Sequence, residues 1–273
     1  MAVDYMTVKS IKANFYHQFD ADYDMEVPAE GFSGWQEEDI EIDLERTALV
    51  VMHAWDCGTR DQFPGWYRYV EYIPRANRIC KEVFPSLLDA VRGSSMKIFH
   101  VVSSGSYYKN YPSYTRARKK EKKTCKPFSK ISKGSARKKL DRFRDANCGA
   151  GLHNKHDISE GFKRLDFAPE AKPEGDEGIA ENADQLFALC KESGVDHLIY
   201  VGFAINWCLL LSPGGMAEMS KYGLLCSTIK EAVTAVENDF TARQELCKEI
   251  ALWRVSLAFG FVFQLDDVLK VLK

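Results

Sequence analysis

The chain has 273 residues, 45% of them hydrophobic, and a formal net charge of -2 at pH 7. This is enough for a large core, and it predicts one substantial α/β domain with an arm or insertion. No run approaches the roughly 18 consecutive apolar residues of a membrane span, and the N-terminus lacks the pattern of a secretory leader. The eight cysteines include no Cys-x-x-Cys pair, which argues against a zinc ribbon or a disulfide scaffold and favours a cytoplasmic location.

The small net charge conceals two oppositely charged segments. Residues 20–45 contain eleven acidic residues and no basic ones, whereas residues 116–144 contain fourteen Lys or Arg and two acidic residues. We interpret residues 1–46 as an acidic N-terminal arm that lies over a surface rather than forming a core element. We expect it to pack near the basic segment, within the chain or across a homo-oligomer interface. We do not expect the basic segment to bind nucleic acid, since the rest of the protein is acidic.

The first strong element in chain order is a buried strand over 47–53. Apolar spacing predicts a helix over 74–92, with a kink at Pro85, and a second strand over 97–102. This is a βαβ unit, which implies a parallel sheet with right-handed crossovers.

The segment that follows has no clear apolar period, and we interpret residues of about 103–165 as a basic insertion. Within it, His153-Asn-Lys-His156-Asp157 contains metal-ligand types, but no second ligand cluster accompanies them, so we expect a polar loop. We predict neither a metal nor a cofactor. Later elements are a helix over 183–193, a strand over 198–201, a short strand at 224–226 and a C-terminal helix over 241–259.

Candidate chemical groups follow two of the predicted strands. The strand at 198–201 ends at Gly202, and Cys208 follows where a helix should begin, a position that favours a thiolate. A buried structural cysteine is the alternative interpretation. His53, Trp55 and Asp56 follow the first strand, and open α/β sheets bind ligands at such strand ends. We therefore expect His53 and Cys208 to lie on adjacent parallel strands and to face one cavity.

Together with Ser212–Gly223, these segments resemble the isochorismatase-like cysteine hydrolases, the superfamily of nicotinamidases and N-carbamoylsarcosine amidohydrolases. The resemblance covers roughly residues 45–110 and 165–240, and it implies a three-layer α/β/α sandwich with a mainly parallel sheet over 47–273. It also implies a triad of Asp, Lys and Cys. Cys208 falls on the nucleophile and His53 on the aspartate. Either Lys172 or Glu181 falls on the lysine, and the Gly-Asp spacing favours Glu181.

This resemblance suggests a cysteine-dependent hydrolase that acts on a small amide, carbamoyl or related carbonyl substrate through a thioester-type intermediate. Cys208, His53 and Lys172 are the candidate catalytic residues. An ammonium group near Cys208 would favour the enzyme, whereas the Glu181 carboxylate there would favour the alternative, an inactive pseudoenzyme used for binding or assembly. The candidate substrate-binding residues are Trp55, Asp56, Phe203, Ala204, Asn206 and Trp207.

Overall fold

A computed structural model describes residues 7–120 and 130–273, with the side chain of Lys120 left out. Its main feature is an eight-stranded sheet in the order β2-β1-β10-β9-β8-β3-β5-β7, beside a two-stranded ribbon of β4 and β6. The strands are β1 Val8–His17, β2 Gly34–Asp43, β3 Thr47–Met52, β4 Trp55–Asp56, β5 Lys97–Val101, β6 Asp166–Phe167, β7 Gly178–Ala180, β8 His197–Phe203, β9 Leu225–Thr234 and β10 Val262–Phe263.

The six strands from β10 to β7 in this order are parallel, and β1 and β2 extend the sheet in antiparallel pairing. Every residue of β3 and β8 is buried, which explains their continuous apolar sequences, because a parallel strand is covered by helices on both faces. The predicted α/β fold with a mainly parallel sheet is confirmed.

Helices pack on both faces of the sheet and produce two hydrophobic cores. One core includes residues of α2, α3 and α10, and the other includes residues of α7, α8 and α9. Among the described residues, no helix combines the length and apolar character needed to cross a membrane. The helices are α1 Pro64–Tyr69, α2 Ile73–Glu82, α3 Phe84–Arg92, α4 Pro112–Lys120, α5 Ser135–Asn147, α6 Gly151–Lys163, α7 Ala183–Ser193, α8 Met216–Met219, α9 Leu246–Ala258 and α10 Leu265–Leu272.

The acidic segment differs from the expected surface arm, because its second half is the edge strand β2. Ile40 and Ile42 alternate with acidic residues, and Ile42 and Leu44 belong to a hydrophobic core. Alternation of apolar and charged side chains is the pattern of a strand with one solvated face. The high density of acidic residues obscured this pattern in the sequence.

The two charged segments lie at opposite edges of the sheet. Strand β2 forms one edge, whereas α4, the first helix of the basic segment, packs on β7 at the other. Six strands stand between β2 and β7 in the sheet order. The prediction that the segments pack together within one chain is therefore wrong for the described residues, and their pairing between chains stays a prediction.

One further expectation about helices holds in part, and another is wrong. The predicted helix over 74–92 is divided at Val83 into α2 and α3, and Pro85 lies in the first turn of α3, where the missing N–H has no helical partner. The segment without apolar period contains α4, α5 and α6, and His153 and His156 lie on α6 rather than in a loop. Helix α5 buries no residue, so it needs no apolar stripe.

Replacing Gly202 with alanine should lower the free energy of unfolding by at least about 3 kcal/mol, because the change combines strain with a backbone clash. Gly202 has a φ of 118°, and a Cβ there would lie 2.0 Å from the carbonyl oxygen of Met52. Gly194→Ala is the matched control, since Gly194 has a φ of 70° and open space around its Cβ position. It should cost only about 1 kcal/mol. Equal losses in urea denaturation would contradict the proposed clash.

Candidate active site

His53 and Cys208 line the same cavity at the carboxyl ends of β3 and β8. These strands are adjacent and parallel, and Met52, which precedes His53, pairs with Gly202. The cavity has a volume of about 270 Å³. Its position agrees with the general rule that open parallel sheets bind ligands beyond the carboxyl ends of their strands.

His53 is held rigidly at the end of β3. Its backbone adopts a φ of 52°, its N–H donates to the carbonyl of Val101 at 3.1 Å, and its ring stacks on Trp55 at a centroid distance of 4.6 Å. The side chain is buried, and its Nδ1 has no hydrogen-bond partner among the described residues. Burial lowers the pKa of His53 to about 4, because the charged ring would lose its hydration. The imidazole is therefore neutral at physiological pH and can accept a proton.

Cys208 lies in a short π-helical turn, Ile205–Leu209, rather than at the start of an α-helix. The peptide bond between Phe203 and Ala204 is cis, and the turn begins directly after it. The Asn206 side chain holds this turn in place, since its amide donates to the Val236 carbonyl and accepts from the Val236 N–H, both at 2.9 Å. Cys208 is half-buried, and its side chain reaches the cavity.

The cavity is enclosed largely by aromatic side chains from helices that flank the sheet. Trp66 of α1 stacks on Phe162 of α6 at a centroid distance of 5.0 Å. Cys57 also lines the cavity, but burial raises the pKa of its thiol to about 12. Among the described residues that line the cavity, there is no Asp, Glu, Lys or Arg. The lining residues are His53, Trp55, Cys57, Trp66, Tyr69, Val70, Tyr72, Ile73, Ala76, Asn77, Ile158, Phe162, Phe203 and Cys208.

Neither candidate for the family lysine position lines this cavity. Lys172 is half exposed, and its ammonium group lies 3.6 Å from the Asp166 carboxylate. Glu181 directly follows β7, and its carboxylate accepts hydrogen bonds from the hydroxyl groups of Tyr108 and Tyr114. The structure therefore brings His53 and Cys208 together without Lys172 or Glu181.

The candidate substrate-binding residues divide into two groups. Trp55 and Phe203 line the cavity. The other four do not line it. The Asn206 side chain is hydrogen-bonded to the Val236 backbone, and Trp207 is 59% exposed. Ala204 is buried, and the exposed Asp56 accepts a hydrogen bond from the Gly58 N–H. These four residues are close in sequence to Cys208 or His53. They nevertheless point away from the cavity, because successive side chains of a strand or turn point in different directions.

Sequence reasoning missed the residues of α1, α2 and α6 that enclose the cavity. One available signal was the aromatic density of the Pro64–Tyr69 segment, close after the first buried strand. Tyr108 and Tyr114, which precede the basic segment, are buried in a cluster with Phe167.

No protein-family model matches the chain, and no curated protein matches it in sequence. Solved structures do match. A cysteine hydrolase from Pseudomonas syringae pv. phaseolicola is 14% identical, with a TM-score of 0.49, over 85% of this chain and 94% of that one. An isochorismatase-like hydrolase from Alkaliphilus metalliredigens is 14% identical, with a TM-score of 0.48, over 84% and 98% of the two chains.

An N-carbamoylsarcosine amidase from Thermoplasma acidophilum is also similar, at 14% identity and a TM-score of 0.42, over 81% of this chain and 97% of that one. These are isochorismatase-like and related hydrolases. At these identities the likeness concerns the fold alone, and the role of each residue rests on the geometry of the site.

Replacing Gly161 with alanine should disturb the aromatic enclosure. A Cβ at Gly161 would lie 2.1 Å from Cε3 of Trp66, so the indole must move. We expect a loss of about 1–3 kcal/mol in unfolding free energy from this overpacking, together with a change in tryptophan fluorescence. Gly134→Ala is the control, because a Cβ there contacts nothing within 4 Å. Unchanged fluorescence in the Gly161 variant would show that Trp66 does not pack there.

Stability should fall as the pH decreases from about 6.5 towards 4. Burial lowers the pKa of both His53 and His197 to about 4, so in this range the unfolded chain binds protons that the folded chain does not. The neutral form of each histidine should contribute roughly 3 kcal/mol to the free energy of unfolding. This contribution is fully present above pH 6.5 and is lost as the pH falls towards 4. Urea denaturation across this range should show that His197→Gln reduces the slope of unfolding free energy by about 1.4 kcal/mol per pH unit. A slope equal to that of the wild type would contradict this assignment.

Proposed function

We propose that the protein is a cysteine-dependent hydrolase of the isochorismatase-like superfamily, with Cys208 as the nucleophile and His53 as its base. The observation that carries this proposal is that a thiol and a neutral, partly unpartnered imidazole line one enclosed cavity. Burial lowers the pKa of His53, so the imidazole is unprotonated before the reaction, and the same shift makes it a weaker base.

In the proposed reaction, the Cys208 thiol gives its proton to the imidazole of His53. The sulfur forms a bond to the substrate carbonyl carbon, and the carbonyl oxygen becomes an oxyanion. Collapse of this intermediate breaks the bond to the leaving group, which takes the proton from His53, and a thioester remains. Water then adds to the thioester with His53 again as the base, releasing the acid and restoring the thiol.

Backbone N–H groups near Cys208 are the proposed donors to the oxyanion. The N–H groups of Trp207 and Leu209 are committed, since both donate to the Ala204 carbonyl at 3.2 Å. The proposal therefore assigns this role to the N–H groups of Ile205, Asn206 or Cys208.

The composition of the cavity supports a small, uncharged and largely planar carbonyl substrate. Aromatic faces on several sides favour planar apolar groups, and Asn77 can donate or accept hydrogen bonds. A charged substrate would lose its hydration without gaining a charged partner among the described lining residues. The proposed substrates are therefore neutral aromatic or apolar amides and related carbonyl compounds.

A pseudoenzyme that binds such a compound is the second candidate. The observation that favours it is the position of Lys172, whose ammonium group pairs with Asp166 instead of facing Cys208. Without a nearby cation, a thiolate in this apolar cavity has less electrostatic stabilisation.

Hydrolysis of a neutral aromatic ester, p-nitrophenyl acetate, should separate the two candidates. Cys208→Ser should reduce the rate by at least about 100-fold and His53→Gln by about 100-fold, because the nucleophile and its base act as a unit. Cys57→Ser is the matched control, since Cys57 lines the same cavity and should change the rate by less than about threefold.

Mass-spectrometric mapping with iodoacetamide gives an independent measurement on the same variants. Cys208 should be alkylated faster than Cys57 near neutral pH, and His53→Gln should slow this reaction. A wild-type protein that binds neutral aromatic amides, yet neither hydrolyses the ester nor alkylates preferentially at Cys208, would instead support the pseudoenzyme.

A further inference from the structure

Helix α5 carries a basic surface that the rest of the described chain leaves uncovered. None of its residues is buried, and Leu140 and Phe143 are 66% and 68% exposed. They are three residues apart and so lie on the same side of the helix. Within the part of the chain that the structure describes, the four basic residues around them form no ion pair. We call Lys138, Lys139, Leu140, Arg142, Phe143 and Arg144 the α5 surface.

The loop of residues 19–27, between β1 and β2, has the complementary character. Apolar and acidic side chains alternate along it, and Phe19 and Tyr23 are 73% and 88% exposed. No described ion pair involves this loop. Within the loop, the Asp22 carboxylate accepts a hydrogen bond from the Asp24 N–H at 3.0 Å. Its exposed apolar residues are Phe19, Tyr23, Met25 and Val27, and its exposed acidic residues are Asp20, Asp22, Asp24 and Glu26.

The two surfaces do not cover each other within the described chain, because the apolar residues of both are exposed. Strand β1 pairs with β10 at Asn14 and Val262, and the loop follows the end of β1. The segment that contains α5 begins at the carboxyl end of β5 and returns through α6, which packs on α1. The exposed residues of both surfaces are thus open to a second molecule.

We propose that the α5 surface binds the 19–27 loop of a second copy of this chain. Four basic side chains oppose four acidic ones, and exposed apolar residues on both sides supply contact area. Each copy presents both surfaces, so a symmetric pair makes the contact twice. An anionic membrane would attract α5 but repel the acidic loop, which would leave the loop's apolar residues exposed.

Charge reversal tests this contact in the full chain. One variant carries Lys138→Glu, Lys139→Glu and Arg142→Glu; the other carries Asp20→Lys, Asp24→Lys and Glu26→Lys, which retains Asp22 for its bond within the loop. In light scattering or sedimentation at about 50 mM salt, the wild type should self-associate, and each variant alone should associate at least about tenfold more weakly. An equimolar mixture of the two variants should regain the mass of the wild-type assembly, because both contacts in a mixed pair are again between opposite charges.

The control variant carries Lys81→Glu, Lys191→Glu and Lys221→Glu, three exposed lysines outside both surfaces, and it should associate as the wild type does. The association of the wild type should also weaken at about 500 mM salt. A monomeric wild type, or a mixture of the two reversed variants that stays monomeric, would overturn the proposal. Loss of binding to anionic vesicles in the α5 variant, with no change in assembled mass, would also overturn it and would assign α5 to a membrane surface.

Discussion

The close approach of β3 and β8 at Gly202 fixes the geometry of the candidate site. Only a residue without a Cβ fits there, since the Cβ position lies 2.0 Å from the Met52 carbonyl oxygen. The pairing of β8 with β9 is irregular between Tyr200 and Gly202, as at a β-bulge, which turns the end of the strand. The next residue after Met52 is His53, and the turn that carries Cys208 follows β8. One backbone contact thus helps to place His53 and Cys208 at the same cavity.

Enclosure of this cavity determines its electrostatics as well as its shape. The same burial that keeps His53 neutral, with a pKa of about 4, raises the pKa of the Cys57 thiol to about 12. A standing imidazolium at His53 is disfavoured in such surroundings, because the ion would lose hydration. In the proposed reaction the proton therefore moves as the sulfur forms its bond to carbon, when negative charge passes to the oxyanion and its backbone donors.

Local sequence signals predicted the centre of the fold well. The buried strands β3 and β8 are continuous apolar runs. Both ends of α7 have sequence signals: the Asn182 side chain accepts a hydrogen bond from the Gln185 N–H at its start, and Gly194 adopts a left-handed conformation with a φ of 70° at its end. These features depend on neighbours within one element. They were therefore visible without knowledge of the tertiary structure.

The enclosure of the site could not be predicted in the same way, because it arises from contacts between distant segments. Trp66 and Phe162 are 96 positions apart in the sequence, and their stack requires Gly161 to admit the indole of Trp66. A glycine inside α6 has no local explanation and reduces the helical signal. Strand β2 was not predicted for another reason. Its many acidic residues obscured the alternation of Ile40 and Ile42 with charged side chains.

The cavity lacks both of the charged groups that the family resemblance implies, among the described residues that line it. A carboxylate and an ammonium group in an apolar cavity stabilise each other, and either one alone would be a buried charge without a partner. Here the neutral His53 occupies the position that the family resemblance gives to the aspartate, and no lysine lines the cavity among the described residues. The Glu181 carboxylate is satisfied elsewhere by two tyrosine hydroxyl groups. Exchange of both charged groups, rather than one, leaves a cavity that can remain apolar while retaining a thiol and a proton acceptor.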